Sequence, residues 1–265
     1  MRTGVFQTET KRSRAALWSA RLALFGAALI LVGIALHRLF NLATPTFLDI
    51  IAVGFGLAAL AILLALVGFV AIWSTGIRGT GAAAAGALIG AAILAWPASY
   101  LPTVITQAPL NDVSTDTDDP PLFDKVTAAR PVGANATAYP GRAASGVQTA
   151  LYPDIRPVVV ERPAAETFEL VVQALTRAGL EIVDEREPTR TTPGVAEATG
   201  RTLVIGFRDD VVVRVIGRGN RSKIDVRSAS RWGRYDFGRN AERVRTLVRG
   251  ILERLQSTVP ASQSR

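Results

Sequence analysis

Three long apolar blocks crowd the first hundred residues, and they limit what the rest of the chain can be. Residues 17–36, 47–73 and 80–101 each have about the length a helix needs to cross the hydrocarbon core of a bilayer. Trp18, Trp73, Trp96 and Tyr100 lie near their ends, where amphipathic rings favour the headgroup zone. Asp49 sits near an edge, and no ionisable side chain falls mid-block, which disfavours a transport path or proton relay. The first block is read as a span and not a cleavable leader. Its apolar core is too long, no small-residue cleavage site follows, and a second span comes soon after.

Charge around the blocks predicts their orientation. Arg2, Lys11, Arg12, Arg14 and Arg21 precede or open the first block, single arginines (Arg38 and Arg78) separate the others, and the sequence after the third is acidic. Basic flanks stay on the cytoplasmic side. The expectation is a multi-pass protein of a bacterial inner membrane, with a cytoplasmic N-terminus and a periplasmic C-terminal domain. The third block carries Gly86-x-x-x-Gly90, a small-residue face on which another helix can pack closely. Two uses are open for it: packing within the protein's own three helices, or a homo-oligomer.

Several chemistries are excluded by what is missing. There is no cysteine, and the one histidine, His37, lies beside the first block. The C-terminal part therefore holds no disulfide, thiolate site, Ser-His-Asp triad or histidine zinc site. The sequence implies no cofactor and no metal.

The formal net charge of +8 conceals an asymmetry: residues 1–101 sum to +5, 102–200 to −6 and 201–265 to +9. The favoured reading is that the acidic and basic stretches pair within one fold. The alternative is an anion-facing surface. A nucleic-acid partner is not expected, because only Trp232, Tyr235 and Phe237 interleave with the basic residues.

The organisation expected is a membrane domain over 1–101, a Pro-rich extended strap over 102–157, a soluble domain over 158–257 and a disordered tail over 258–265. Eight prolines and no recurring apolar period mark the strap. Asp112, Asp116, Asp118 and Asp119 are read there as a solvated acidic turn, since the spacing does not match a calcium loop.

Within the soluble domain, 157–161 reads as a strand and Pro163 opens a helix with an apolar stripe at Phe168, Val171, Val172 and Leu175. Gly179 closes that helix. Strands follow at 180–185, 195–207 (interrupted near Gly200), 211–217 and 223–228. Gly219-Asn220 suits a two-residue hairpin turn, which sets Arg214 opposite Asp225 and Val212 opposite Arg227. Val244, Leu247, Val248, Ile251, Leu252 and Leu255 stripe a final helix, with Asp236 as its cap and Asn240 as the alternative. The fold class is α+β: three transmembrane helices, then a two-layer domain with two helices on a mainly antiparallel sheet.

Residues 225–240, Asp-Val-Arg-Ser-Ala-Ser-Arg-Trp-Gly-Arg-Tyr-Asp-Phe-Gly-Arg-Asn, are the densest run of groups able to touch a ligand. Arg227, Ser228, Ser230, Arg231 and Arg234, with Asp236 and Asn240, form a candidate site for an anionic group or partner near a helix N-terminus. The competing reading is an internal clasp of ion pairs and turn-capping serines. Arg214 and Asp225 are expected as a structural pair.

Together with 225–240, Asp-Val-Ser-Thr-Asp…Asp-Pro-Pro at 112–121, Tyr-Pro-Asp at 152–154, Glu-Ala at 197–198 and Gly-Phe-Arg-Asp-Asp-Val-Val-Val-Arg at 206–214 form a distinctive set. On these motifs the chain resembles a bacterial and plastid family known only as domain of unknown function 1499. The resemblance covers roughly residues 110–255. It implies N-terminal membrane helices as a common accompaniment, and no established activity, cofactor or catalytic residue.

Three functions remain in view. One is a periplasmic binding or envelope-associated module. Another is a structural or assembly protein that packs its spans against a membrane-protein partner. The third is an enzyme using Asp209 and Asp210, which is disfavoured because neighbouring strand residues point to opposite faces.

Overall fold

A computed structural model describes residues 11–258 and divides the chain into two compact units, Met1–Ile105 and Thr106–Arg265. Arg2 and residues 259–265, the bulk of the expected tail, lie outside the described residues.

The first unit is helical. α1 (Arg14–Leu39) begins on Ser13, whose hydroxyl accepts the Ala16 N–H at 3.3 Å. α2 (Thr44–Thr75) ends on Gly76 at φ 68°, and α3 (Thr80–Ala98) turns near Pro97 into the short α4 (Leu101–Thr106). Three stretches, Arg14–Leu39, Thr44–Thr75 and Thr80–Thr106, are long and apolar enough to span a bilayer. Small residues let the helices close on one another. A Cβ on Gly86 would lie 1.9 Å from the Ser19 hydroxyl, and one on Gly90 2.8 Å from the Ala58 carbonyl. The Gly86/Gly90 face thus packs closely inside the protein's own bundle. Ser19 also donates to the Ala61 carbonyl at 2.7 Å. At one end of the bundle the Arg78 N–H donates to the Lys11 carbonyl and the Ser13 N–H to the Arg78 carbonyl, so Lys11, Arg12, Arg14 and Arg78 gather there.

The second unit is an open antiparallel sheet. In chain order it holds β1 (Asp112–Ser114), α5 (Lys125–Ala128), α6 (Arg142–Leu151), β2 (Val158–Val160), α7 (Ala164–Arg177), β3 (Glu181–Arg186), β4 (Gly194–Arg201), β5 (Arg208–Arg218), β6 (Arg221–Ser230) and α8 (Arg239–Ser257). The sheet runs β1-β6-β5-β4-β3, with β2 pairing β6 further along. The β5–β6 hairpin has the register that its turn dictates: Gly219 takes φ 62°, and Arg214 pairs Asp225 while Val212 pairs Arg227.

Alternation along the strands gives the sheet two unlike faces. Val211, Val213, Val215, Ile224, Val226 and Ala196 look toward α7 and α8. There they meet Phe168, Val171, Leu175, Val244, Leu247 and Ile251 in an apolar core. Burying side chains of this kind contributes roughly 1.5–3 kcal/mol each. The opposite face carries Asp210, Arg214, Asp225, Arg227, Arg231 and Glu197.

The stretch expected as an extended strap is folded into this unit. β1 pairs β6 as Asp112↔Ala229 through Ser114↔Arg227, and Leu110, Val113 and Ile155 are in the core. Asp112 and segment 116–139, through Asp116, Asp119 and Arg130, add partners to the ion pairs that the charged face makes within itself. β1 and α5, of three and four residues, carry no period of their own and resemble loop until their long-range partners are known, whereas α6 is ten residues long and is a helix that the Pro-rich surroundings concealed. Two boundaries also differ from expectation. The third of the expected strands stops at Arg201, because the Thr202 hydroxyl takes the N–H groups of Gly206 and Phe207 and closes a turn. The final helix starts at Arg239 after Gly238 at φ 82°, while the Asp236 carboxylate accepts the N–H of Asn240 in its first turn from outside.

Candidate functional site

The residues of 225–240 lie where β6 ends and α8 begins, and alternation sends them to opposite sides. Ser228, Ser230 and Asn240 meet on the helix-covered side. The Ser228 hydroxyl donates to Asn240 Oδ1 at 2.7 Å, and Asn240 Nδ2 donates to Ser230 Oγ at 3.0 Å and to the Asn111 carbonyl at 2.9 Å. Asp236 accepts the N–H groups of Asn240 at 2.8 Å and Gly238 at 3.0 Å, as a helix-opening carboxylate does. Burial still pushes the Asp236 carboxyl above its ordinary value, against those hydrogen bonds.

Arg227 and Arg231 lie on the other side, and both guanidinium groups are filled. Arg227 is wholly buried. Its Nε and Nη2 grip the two oxygens of Asp112 at 2.9 and 2.6 Å, and further N–H groups reach the carbonyls of Pro121 and Thr137. The rings of Phe123 and Tyr139 cover it, with centroids 4.5 and 5.3 Å away. Arg231 grips Asp210 through Nε at 3.0 Å and Nη2 at 2.7 Å and donates to the Ala129 carbonyl. Arg130 closes on the same carboxylate at 2.7 Å. Burial pushes the Asp112 carboxyl above its ordinary value despite the Arg227 contacts, so these buried pairs add little net stability, yet removing one partner costs a great deal.

Asp225 meets Arg214 at 2.8 Å, and Arg214 also reaches Asp119 at 3.0 Å. Lys223 bonds Asp116, which also receives the N–H groups of Asp118 and Asp119. Burial raises Asp116, but the Lys223 contact and these backbone N–H groups outweigh it, so the carboxyl sits below 3.8. The four-aspartate turn is therefore divided: Asp118 and Asp119 are exposed, while Asp112 is buried in β1. Acidic and basic stretches do pair within the fold, through Asp112–Arg227, Asp116–Lys223, Asp119–Arg214, Asp154–Arg245 and Glu161–Arg221.

Asp209 and Asp210 diverge as the strand requires. Asp209 goes to Arg243 on α8 at 2.6 Å, and Asp210 goes to the opposite face. Arg234 is exposed and joins neither cluster. Among the described residues, no three of His, Cys, Asp and Glu converge in a way that would hold a metal ion.

Besides the other ion-pair partners already named, Glu197, Arg130 and Tyr139 also take part from outside the run that drew attention in the sequence. Glu197, wholly buried, accepts the N–H groups of Asp124, Lys125 and Val126 at 3.0–3.2 Å and thereby starts α5. Arg130 and Tyr139 hold the cover down. The charge imbalance between 102–200 and 201–265 did not point to them, since Arg130 is a base of the acidic stretch, Tyr139 is uncharged and Glu197 is held from within 102–200. Among the described residues, Arg130 Nη2 and Tyr139 Oη are buried with no hydrogen-bond partner. Burial, with the negative charge of Asp112 behind it, pushes the Tyr139 phenol up to about 12.

The β1-to-α8 span that builds this arrangement coincides with a family match: residues 112–251 fit the model described as "Protein of unknown function (DUF1499)". The chain belongs to that family. No curated protein matches it. The DUF1499 match begins at Asp112, the first residue of β1, and so takes in the whole 116–139 segment that covers the charged face.

Proposed function

We propose that this DUF1499 protein is a multi-pass component of a bacterial inner membrane whose sheet domain lies in the periplasm and works as a non-catalytic, envelope-associated binding or assembly module. The observation that carries this reading is the closed charged face. Arg227 and Arg231 each hold a carboxylate of the same domain, so an incoming anion would have to displace Asp112 and leave it buried without its counter-ion, or part Asp210 from one of the two arginines that share it. That favours an internal clasp over a ligand site at 227–231. It leaves recognition to the outer surface, where Arg234 is exposed. Asp209 and Asp210, on opposite faces and each held by arginine, do not converge on a substrate. The clustering of Lys11, Arg12, Arg14 and Arg78 at one end of the bundle supports a cytoplasmic N-terminus.

The absence of cysteine makes the topology directly testable. Single cysteines at Ala43, Thr75 and Asn220 are treated with a membrane-impermeant maleimide in cells with a permeabilised outer membrane. Labelling at 43 and 220 but not at 75 is expected; the reverse pattern overturns the orientation. Native mass spectrometry of the detergent-extracted full chain separates the two module readings. A retained small anion lost in Arg234→Ala supports binding, and bare protein supports assembly.

A further inference from the structure

One end of the sheet gathers features that the clasp does not use. The β4–β5 turn, the 231–237 loop, the start of β1 and the N-terminus of α8 all lie at that end, because Asp209 pairs Ser230 and the Asp236 N–H donates to the Leu110 carbonyl. The turn carries Leu203 and Val204, which are 82% and 65% exposed on a tight two-strand connection where a polar pair would be the ordinary choice. Phe237, 44% exposed, is stacked on Tyr235 with centroids 6.0 Å apart. Its φ of 52° is a conformation that an aromatic residue seldom adopts. Around these apolar tips stand Arg201, Arg234 and Arg239, all exposed, and half-buried Arg208. Burial, then repulsion from Arg201 and Arg231, holds the Arg208 guanidinium below its usual value despite Glu181 and Asp210, as expected where cations crowd. Glu181 and Glu242 are the exposed acids at this end, and the remaining carboxylates there are engaged by arginine or by the helix N-terminus. A cleft of about 330 Å³ between Gly179, Arg201, Leu203, Arg239 and Thr246 opens beside the tip.

The same end receives the chain from the membrane helices. The third apolar stretch ends at Thr106, β1 starts at Asp112, and the Tyr235 hydroxyl reaches the Gln107 carbonyl at 3.4 Å. The five residues 107–111 span at most about 18 Å, so a bilayer that holds the third stretch is within reach of this end.

We propose that the 202–207 turn, with Phe237 and the ring of arginines, docks on the surface of the bilayer that anchors the chain and selects anionic lipid headgroups. Apolar tips enter the interface while guanidinium groups meet phosphates, a division of labour that membrane-surface elements share. The Gly219–Asn220 turn, at the far end of the hairpin, stays in water. Docking rests on the anchoring part of the proposed function and not on which side of the membrane the domain occupies.

The test uses the full chain in vesicles of phosphatidylcholine with or without phosphatidylglycerol. A single environment-sensitive label is placed at Leu203→Cys, Asn220→Cys or Leu63→Cys, and the quencher is carried on the lipid chains. Label at 63 reports whether the spans are inserted; unquenched label there would overturn the anchoring itself. With 63 quenched, quenching at 203 at least three-fold stronger than at 220, increasing with phosphatidylglycerol and falling with salt, is the expected result. Each arginine near an anionic surface favours docking about five-fold, so Arg201→Gln with Arg239→Gln should shift the equilibrium on the order of 25-fold toward the undocked domain. Equal quenching at 203 and 220 would overturn the proposal. So would indifference to lipid charge, or a signal at 203 that tracks protein-to-protein dilution instead of lipid, which would indicate a second copy on the tip.

Discussion

The two faces of the sheet are built from the same strands, residue by residue, and are held by opposite means. On one, valines and alanines of β4, β5 and β6 press against two amphipathic helices, and the stabilisation spreads over many interchangeable contacts. On the other, a few ionic groups are closed over by a cover of little regular structure, and each group depends on a specific partner. An apolar face tolerates loss gradually, because neighbours relax into a cavity. A dry charged face does not: removing one member strands another in a medium that cannot solvate it. The helix face therefore supplies bulk stability. The clasp face fixes where the 116–139 segment lies.

That contrast can be broken in order of expected effect. Asp210→Ala strands both Arg231 and Arg130 and should cost about 3–5 kcal/mol, read as a fall in the urea midpoint of the domain in the detergent-held full chain. Loss below 1 kcal/mol would show that the face is wetter than its geometry implies. Leu247→Ala, on the helix face, should cost about 2–4 kcal/mol and leave proteolysis of 116–139 unchanged, whereas Asp210→Ala should expose that segment. Replacing Arg227 and Asp112 together by Met and Leu should cost less than the two single losses combined, by about 1–3 kcal/mol of coupling; strict additivity would deny the pair.

Two pH limbs follow from the perturbed groups. Asp116 lies below 3.8 in the folded chain, so its contribution is complete above pH 3.8 and is lost as pH falls through the lower folded value. Tyr139, raised from 10.0 to about 12, favours folding fully below pH 10, and that advantage declines as pH rises toward 12. Tyr139→Phe should abolish the alkaline limb; its persistence would assign it to another group. The smallest effect belongs to Arg221→Ala. Its pair with Glu161 is 61% and 71% exposed, so the change should be under about 1 kcal/mol and vanish in salt.

How legible the fold was depends on the length over which each element carries its own signal. The β5–β6 hairpin could be read to the register from its alternation and its Gly-Asn turn, and α7 and α8 from stripes that run for two turns or more. Strand β1 has three residues and α5 four, both held by contacts made more than seventy positions away, so nothing local distinguishes them from loop. The site was half legible. Charged residues at Asp210, Arg214, Asp225, Arg227 and Arg231 mark one face of two strands, and such a face ordinarily means solvent. Only the surplus of acid in 102–200 hinted that the face was covered from within the chain.

Strand β6 has a consequence in time as well as in space. It is the last strand synthesised, yet it pairs with β5 on one side and with both β1 and β2 on the other, with Asp112 meeting Ala229 across more than a hundred residues. Until residues 221–230 have left the ribosome, the early segments have no strand to join and Asp112 no guanidinium to hold. Such non-local closure makes folding slow compared with a helical bundle of similar size. A chain that folds as it is made would keep this domain open until β6 arrives, and then shut it in one cooperative step.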